Sequence, residues 1–584
     1  MKRGVRAATG AVVVIAAILL VLPGVIGYSA ESTLRSTLKT ISQQGAYRIE
    51  LVDFRRGWFT SRATSKLVLE GQYAETLEQA LGADPGTALE VTFNHTIHHG
   101  PVALSGGEPR FGIAYAETEM RLPRIAERLL AEYFGDKPFL TFRTTFPFTG
   151  GSTTLISNPD YKGAMGPHTS VQWDGASGRL VVGRRAFDIR LRMPLFKWED
   201  SERLLLLRGM TITSDQKKRG RHLWLGDTAA TVEEVRVISP NSGESARIDN
   251  LDYKVKAVAD GPDRIDASAV FGVAAAEFEG GSIGASAWTV DVDNLSALAL
   301  DDAYDLYNQF RDSADQPERQ RTLLNRFLTQ SLPGLLSSPV ELRTAIDMNV
   351  DGPYAIYKGR TAMGIGGKDG DVTIVLEQTV DALDYDEVKM HASTGRLRLA
   401  RLDGDVLGQL YGEFVRILST EVPEAQREKE MQRVVAEKSL TVLRPDTRLT
   451  LEDVAINMPD GGATAHGELG FDGGAALDYS SADRLMQRLE GALEARIDEN
   501  ALLWYLTRVS SRTMQARLQE QGRDVPAETV NRLARTSART ELGKLERQSM
   551  VRRDGEAYVL EALFRGGKVM LNGVDRPDLM PPAP

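Results

Sequence analysis

The sequence predicts an α+β protein: an elongated, β-rich antiparallel body with helical hairpin excursions, preceded by one transmembrane helix. Three observations predict this class. An uncharged apolar run occupies residues 8–28, apolar and polar residues alternate in short runs over about 47–295, and a strand-and-helix pattern recurs three times in the second half. Alternation with a period of two is typical of antiparallel strands that cover one face.

Composition excludes several classes of function. The chain has 584 residues, a net charge of −10 and no cysteine. Without cysteine there can be no disulfide, no thiolate nucleophile and no cysteine-ligated metal. Nucleic acid is not an expected partner, because its binding requires a basic face.

The first element is the apolar segment 8–28, which is long enough to cross about 30 Å of hydrocarbon. Three cations precede it and the first acid, Glu31, follows it, so residues 1–7 are expected in the cytoplasm and the body on the far side. A cleaved signal peptide is the alternative. A cut after Ala30 would place the bulky Tyr28 where a small residue is preferred, which favours an uncleaved anchor.

The N-terminal region of the body, 31–295, is expected to consist mostly of antiparallel strands. Its alternating runs are bounded by Gly, Pro, Asn and Asp, as strands joined by turns are. Helices are expected at 31–44, near 73–82 and near 122–135. The run of strands without intervening helices excludes a doubly wound sheet.

Two short motifs stand out in this region. The first contains Arg56, Gly57, Trp58, Phe59 and Ser61, and the second contains Phe93, Asn94, His99, Gly100 and Pro101. Gly57 suits a turn, and the two aromatic residues after it are large apolar anchors. We expect a buried turn that holds the first strand pair together. The alternative is a binding site, since Trp and Arg are enriched at binding hot spots.

The two motifs, together with the closing VMLNG at 569–573, resemble the YdgA-like family of Gram-negative envelope proteins. The resemblance extends over nearly the whole chain. It implies a bacterial inner-membrane segment, a large periplasmic body and no established biochemical activity.

The second half, 296–575, contains an apparent threefold repeat, at about 296–370, 397–471 and 493–573. Each repeat combines a strand, a helical stretch, a returning strand, an Asp-Gly turn and a further strand, and residues 576–584 form a loose tail. The helical stretches are marked by Asp301 and Tyr307, Asp405 and Tyr411, and Glu499 and Tyr505. Chance similarity between amphipathic regions is the alternative.

The helical stretches are predicted to be hairpins of two helices. Proline stands where each second helix should begin, which is a favoured position. These prolines are Pro317, Pro423 and Pro526. Apolar residues at spacings of three and four give each hairpin one apolar face, which we expect to pack on the sheet. Contact with another protein, a second copy or lipid is the alternative.

No motif predicts a catalytic, metal or cofactor site. His95 and His99 share a strand face, but a zinc site needs further ligands that the sequence does not indicate. The G-x-S-x-G pattern at 280–284 precedes a strand instead of the helix that a nucleophile elbow requires. A carboxylate pair cannot be recognised from spacing alone.

The function expected from these features is non-enzymatic: an anchored periplasmic protein that binds lipid or another hydrophobic ligand along its β-rich body. The alternative is a structural or assembly protein of the envelope, which acts as a homodimer or docks on an envelope protein. A hydrolase with an unrecognised carboxylate site is the remote alternative.

Overall fold

A computed structural model of the chain describes residues 47–69, 90–100, 102–105, 108–122, 138, 140–164, 169–221, 223–239, 245–311, 313, 316–327, 331, 335, 340–353, 355–368, 370–385, 388–418, 424–473, 476–480, 482–521, 523 and 525–579. The chain forms two compact units. The first comprises Met1–Lys256 and Ala276–Glu279, and the second Ala257–Ala275 and Gly280–Pro584.

The first unit is built from antiparallel strands. Their bounds are β1 Tyr47–Arg55, β2 Thr60–Leu69, β3 Glu90–His99, β4 Val102–Ser105, β5 Glu108–Phe111, β6 Ala114–Arg121, β7 Leu140–Phe146, β8 Ser152–Asn158, β9 Tyr161–Ala164, β10 Ser170–Trp173, β11 Ala176–Val182, β12 Ala186–Glu199, β13 Leu204–Lys218, β14 Trp224–Ile238 and β15 Ser245–Asp260. The last of these ends beyond Lys256, in the second unit.

Neighbouring strands of the first unit pair in the order β1–β2–β3–β6–β7–β8–β11–β12–β13–β14. β9 and β10 pair with each other, β10 also pairs with the end of β12, and β4 and β5 form a separate hairpin. The core between β1 and β7 is formed by Ile97, Ala114 and Ala116, packed against Phe54 and Phe146. Ile97, Ala114 and Ala116 lie on one face of β3 and β6, as alternation with a period of two predicts.

The second unit contains strands and paired helices. Its strands are β16 Arg264–Phe278, β17 Gly281–Ile283, β18 Ser286–Ser296, β19 Glu341–Asp351, β20 Ala355–Lys368, β21 Asp371–Tyr385, β22 Val388–Asp403, β23 Arg448–Met458, β24 Gly461–Phe471, β25 Leu489–Asp498, β26 Arg552–Asp554, β27 Ala557–Arg565, β28 Lys568–Leu571 and β29 Val574–Asp575. Its helices are α1 Ala297–Arg311, α2 Pro317–Arg326, α3 Gly404–Leu418, α4 Glu424–Lys438, α5 Ala482–Met486, α6 Glu499–Glu520 and α7 Ala527–Arg547.

Each pair of long helices is inserted between two strands that pair directly. The α1–α2 pair joins β18 to β19, and α3–α4 joins β22 to β23. The α6–α7 pair leads through β26 to β27, which lies beside β25. The strands from β18 to β25 follow one another as antiparallel neighbours. Each successive strand runs in the opposite direction to the one before. β22 is four strands after β18 and therefore runs in the same direction, whereas β25 is three strands after β22 and runs in the opposite one. The third helical pair therefore leaves from the opposite end of the sheet.

Local sequence explains where these helices begin and which side they bury. The Asp403 carboxylate accepts hydrogen bonds from the backbone N–H groups of Asp405 and Val406, both at 3.0 Å, and so caps α3. α2 begins at Pro317. α7 buries a stripe at spacings of four, consisting of Val530, Ala534, Ala538 and Leu542. A cluster of Leu502, Leu542, Val551 and Tyr558 holds the third helical pair on β27.

The predicted fold class is wrong in placing a transmembrane helix before the body. Within the described ranges, no helix is long and apolar enough to cross a membrane. The longest, α6 with 22 residues, contains charged residues along its length, whereas a span needs about 20 mostly apolar ones. The expectation of a β-rich antiparallel body is confirmed, and sheet dominates over helix.

Several expectations lie outside the described residues. They are the anchor at 8–28, the helices at 31–44 and 73–82, and nearly all of that at 122–135. The tail is described as far as Leu579. Its Pro577–Leu579 segment forms a 3-10 turn, where Arg576 pairs with Asp578 at 2.6 Å and donates to the Gln548 carbonyl at 3.2 Å.

Candidate functional site

The structure brings the two N-terminal motifs together on β2 and β3. Thr60 is opposite His98, and the His99 N–H donates to the Phe59 carbonyl at 2.7 Å. Nε2 of His99 lies 2.7 Å from Oγ of Ser61. Ser61 is 0% and His99 3% exposed, so this polar pair is sealed within the sheet.

The remaining motif residues divide between turn and strand. Gly57 lies in the β1–β2 turn, where a β-carbon would collide with the Thr60 carbonyl. Beside it Arg56, Trp58 and Phe59 are exposed. In the second motif, Phe93 is half-buried, Asn94 is exposed and Gly100 is buried. Pro101 lies outside the described residues. The expected buried turn is therefore a turn with exposed aromatic side chains above a buried polar pair.

A second polar pair repeats the first one four residues along each strand. Nε2 of His95 lies 2.8 Å from Oγ of Ser65, and its Nδ1 lies 2.8 Å from Oγ1 of Thr118 on β6. Burial lowers the pKa of His95 to about 4. Sequence reasoning missed Ser65 and Thr118. The signal was there: two serines four apart on β2 and two histidines four apart on β3.

The Ser61–His99 pair has the spacing of a nucleophile and base, but not their environment. Burial, followed by the nearby His98, lowers the pKa of His99. Nδ1 of His99 is buried and has no hydrogen-bond partner among the described residues, so no carboxylate orients the ring. Because Oγ of Ser61 is enclosed, the pair acts to join β2 to β3.

The three-histidine group does not form a metal site in the described part of the chain. His95 and His99 face their serines, whereas His98 is on the other face, 3.2 Å from Oγ1 of Thr60. No cluster of three His, Asp or Glu residues there could hold a metal ion.

The repeat markers occupy related places on the first helix of each pair. Tyr307, Tyr411 and Tyr505 are all strongly exposed, at 54–59%. Their acidic companions differ: Asp301 is half-buried within α1, Asp405 is exposed near the start of α3, and Glu499 pairs with Arg553 at 2.8 Å.

The second unit has an apolar sheet face that carries several exposed side chains. Phe271, Trp288 and Ile346 are direct neighbours across β16, β18 and β19. Met348 lies on the same face of β19, and Leu376 on β21 is linked to this face by its β20 neighbour Met363, which is half-buried. All five side chains are 41–51% exposed. These five side chains are called the apolar face below.

The opposite face of the same strands is polar. Arg360 pairs with Asp347 at 2.8 Å and Arg396 with Glu377 at 3.1 Å. An open depression of about 930 Å³ lies over β19–β22, where β20 has glycine at Gly364, Gly366 and Gly367. Because its arginines are largely paired with carboxylates across the strands, this face resembles a solvated ion-pair surface.

The fold and these surfaces define a class: a predominantly β protein of antiparallel strands, with an apolar sheet face in the second unit and helical pairs inserted between neighbouring strands. A model of a family of bacterial proteins of unknown function, DUF945, matches residues 1–345 and 363–577. The chain belongs to this family. No curated protein and no solved structure matches it.

Proposed function

We propose that this protein is a non-enzymatic, YdgA-like component of the bacterial envelope that binds lipid, or another hydrophobic ligand, along its apolar face. Membership of the DUF945 family is compatible with the YdgA-like resemblance. The three cations that precede the first acid of the chain support an envelope location with the body in the periplasm.

The observation that carries this proposal is the apolar face. Phe271, Trp288, Ile346, Met348 and Leu376 form one connected patch across β16–β21. Covering a half-exposed side chain of this size contributes roughly 1 kcal/mol, so the patch contributes about 5 kcal/mol to an acyl chain laid across it. Isolated exposed apolar residues are common, whereas a connected row indicates a binding surface.

The absence of catalysis in this proposal rests on the polar groups described above. The Ser61–His99 pair is enclosed, and most arginines of the polar face pair with carboxylates. Neither arrangement presents a nucleophile and base to a bound ligand.

The test is native mass spectrometry of the gently extracted full chain. We expect phospholipid at a defined stoichiometry in the wild type. The double variant Ile346→Gln, Leu376→Gln should lose most of it, because two amides then lie beneath the acyl chain.

Val375→Gln is the matched control, since Val375 neighbours Leu376 on β21 but belongs to the polar face. It should retain the lipid. A wild-type protein free of lipid, or a double variant that keeps its lipid, would reject the proposal.

The three exposed tyrosines favour a second candidate, assembly through the helical pairs. Tyr307, Tyr411 and Tyr505 present amphipathic rings of a kind enriched at protein interfaces. A lipid-free dimer in the same spectra, lost in Tyr505→Ser, would support this candidate instead.

A further inference from the structure

Four turns at one end of the first unit's sheet are strongly basic. They are residues 55–60, 146–152, 182–187 and 216–224, which connect β1–β2, β7–β8, β11–β12 and β13–β14. Because neighbouring strands alternate in direction, all four lie at the same end. They contain eight cations and no carboxylate: Arg55, Arg56, Arg184, Arg185, Lys217, Lys218, Arg219 and Arg221. We call these four turns the basic rim.

Exposed aromatic side chains accompany this charge. Trp58, Phe59 and Phe148 lie within the basic rim and are 52–59% exposed. Phe111, in the connection between β3 and β6 at the same end, is 68% exposed. Large aromatic residues beside Lys and Arg are typical of surfaces that enter the interfacial region of a bilayer.

Three described turns at the other end of these strands have the opposite charge. The turns at 158–161, 173–176 and 199–204 contain five acids and one cation: Asp160, Asp174, Glu199, Asp200, Glu202 and Arg203. The described turns at the two ends of these strands therefore differ in charge, although the whole chain has a net charge of −10. An anionic surface would attract the basic rim and repel the acidic end, which fixes one orientation.

We propose that the basic rim docks on the surface of a bilayer that contains anionic lipid. Its cations face the lipid phosphates, and Trp58, Phe59 and Phe148 enter the headgroup region. Charge complementarity selects this partner, and the exposed aromatic side chains distinguish it from a purely ionic contact. The inference concerns the first unit and does not depend on ligand binding at the apolar face of the second.

The natural absence of cysteine makes a site-specific test direct. An environment-sensitive dye is attached to Thr149→Cys in the rim or to Ser201→Cys at the acidic end, both exposed turn positions. The full chain is held in phosphatidylcholine nanodiscs, which shield the segment 8–28. Vesicles of phosphatidylcholine, with or without phosphatidylglycerol and carrying a lipid-bound quencher, are then added.

We expect the dye at position 149 to be quenched only by phosphatidylglycerol vesicles, and less so at high salt, while the dye at 201 stays unquenched. Replacing Arg184, Arg185, Lys217 and Lys218 by Gln should weaken vesicle binding by about 600-fold, since each of the four cations near an anionic surface contributes roughly fivefold. Trp58→Ser with Phe148→Ser should reduce quenching but keep the salt dependence.

Three results would overturn the proposal. They are equal quenching at 149 and 201, quenching that does not require phosphatidylglycerol, and no quenching at 149 at low salt. The last result would also be obtained if the rim binds an acidic protein instead of a bilayer. None of these readouts depends on lipid retained in the native mass spectra, so the two proposals can fail separately.

Discussion

Removing the Ser61 hydroxyl should loosen β2 and β3 more than removing the equivalent hydroxyl of Ser65. In Ser61→Ala, His99 keeps a buried Nδ1 without a partner and loses the only bond of Nε2 that the described residues supply. An imidazole buried with neither nitrogen bonded costs about 2 kcal/mol. In Ser65→Ala, the ring of His95 still contacts Thr118 at 2.8 Å, and the cost should be about 1 kcal/mol.

The assay is hydrogen exchange of peptides that cover 60–69 and 90–99, measured at one pH. Because 1.4 kcal/mol corresponds to a tenfold change, amides there should exchange about 30-fold faster in Ser61→Ala and about fivefold faster in Ser65→Ala. Both changes remove one oxygen from a buried serine of the same strand, so they control for each other. An effect of Ser65→Ala equal to or larger than that of Ser61→Ala would refute the reasoning.

Three further predictions concern single groups. Burial holds the pKa of His95 at about 4, below the usual 6.5, so the unfolded chain takes up the proton first and stability should fall as the pH drops from 6.5 towards 4. At pH 4.5 the loss is about 2.5 kcal/mol, and urea unfolding of His95→Gln should lack this part of the slope. Gly57→Ala should lower the melting temperature, because its methyl group collides with the Thr60 carbonyl, whereas Gly150→Ala, with open space around it, should be affected only through its backbone angle. Asp403→Ala should speed hydrogen exchange at the start of α3 by about fivefold, while Asp405→Ala, which removes no capping bond seen here, should change it little.

Much of the architecture was accessible from the sequence because period-two alternation is a local property. In segments such as Leu489–Asp498, residues alternate between half-buried and exposed, so the sequence of the segment alone indicates which side chains face the core. The three helical stretches were recognisable for the same reason, from spacings of three and four and from the proline at or just before the start of each second helix.

The contacts that define the candidate sites were not accessible in this way. The pairing of Ser61 with His99 depends on the register of β2 against β3, and the two partners are 38 positions apart in the sequence. The apolar face likewise depends on which strands are neighbours, because Phe271 and Ile346 are brought together only by β18. The basic rim emerges only when turns spread over 170 residues are placed at one end of the sheet. The negative net charge of the whole chain suggests instead a surface that an anionic bilayer would repel.

The number of strands between the helical pairs favours one of the two proposed functions over the other. Four steps from β18 to β22 keep the first two helical pairs at one end of the second unit's sheet, and three steps to β25 send the third pair to the other end. Tyr505 therefore cannot meet the same flat partner as Tyr307 and Tyr411 at one end of the strands. The apolar face, in contrast, is continuous across β16–β21 and needs no such coincidence. A single elongated ligand can cover it, which is why the proposal places lipid binding first and assembly through the helical pairs second.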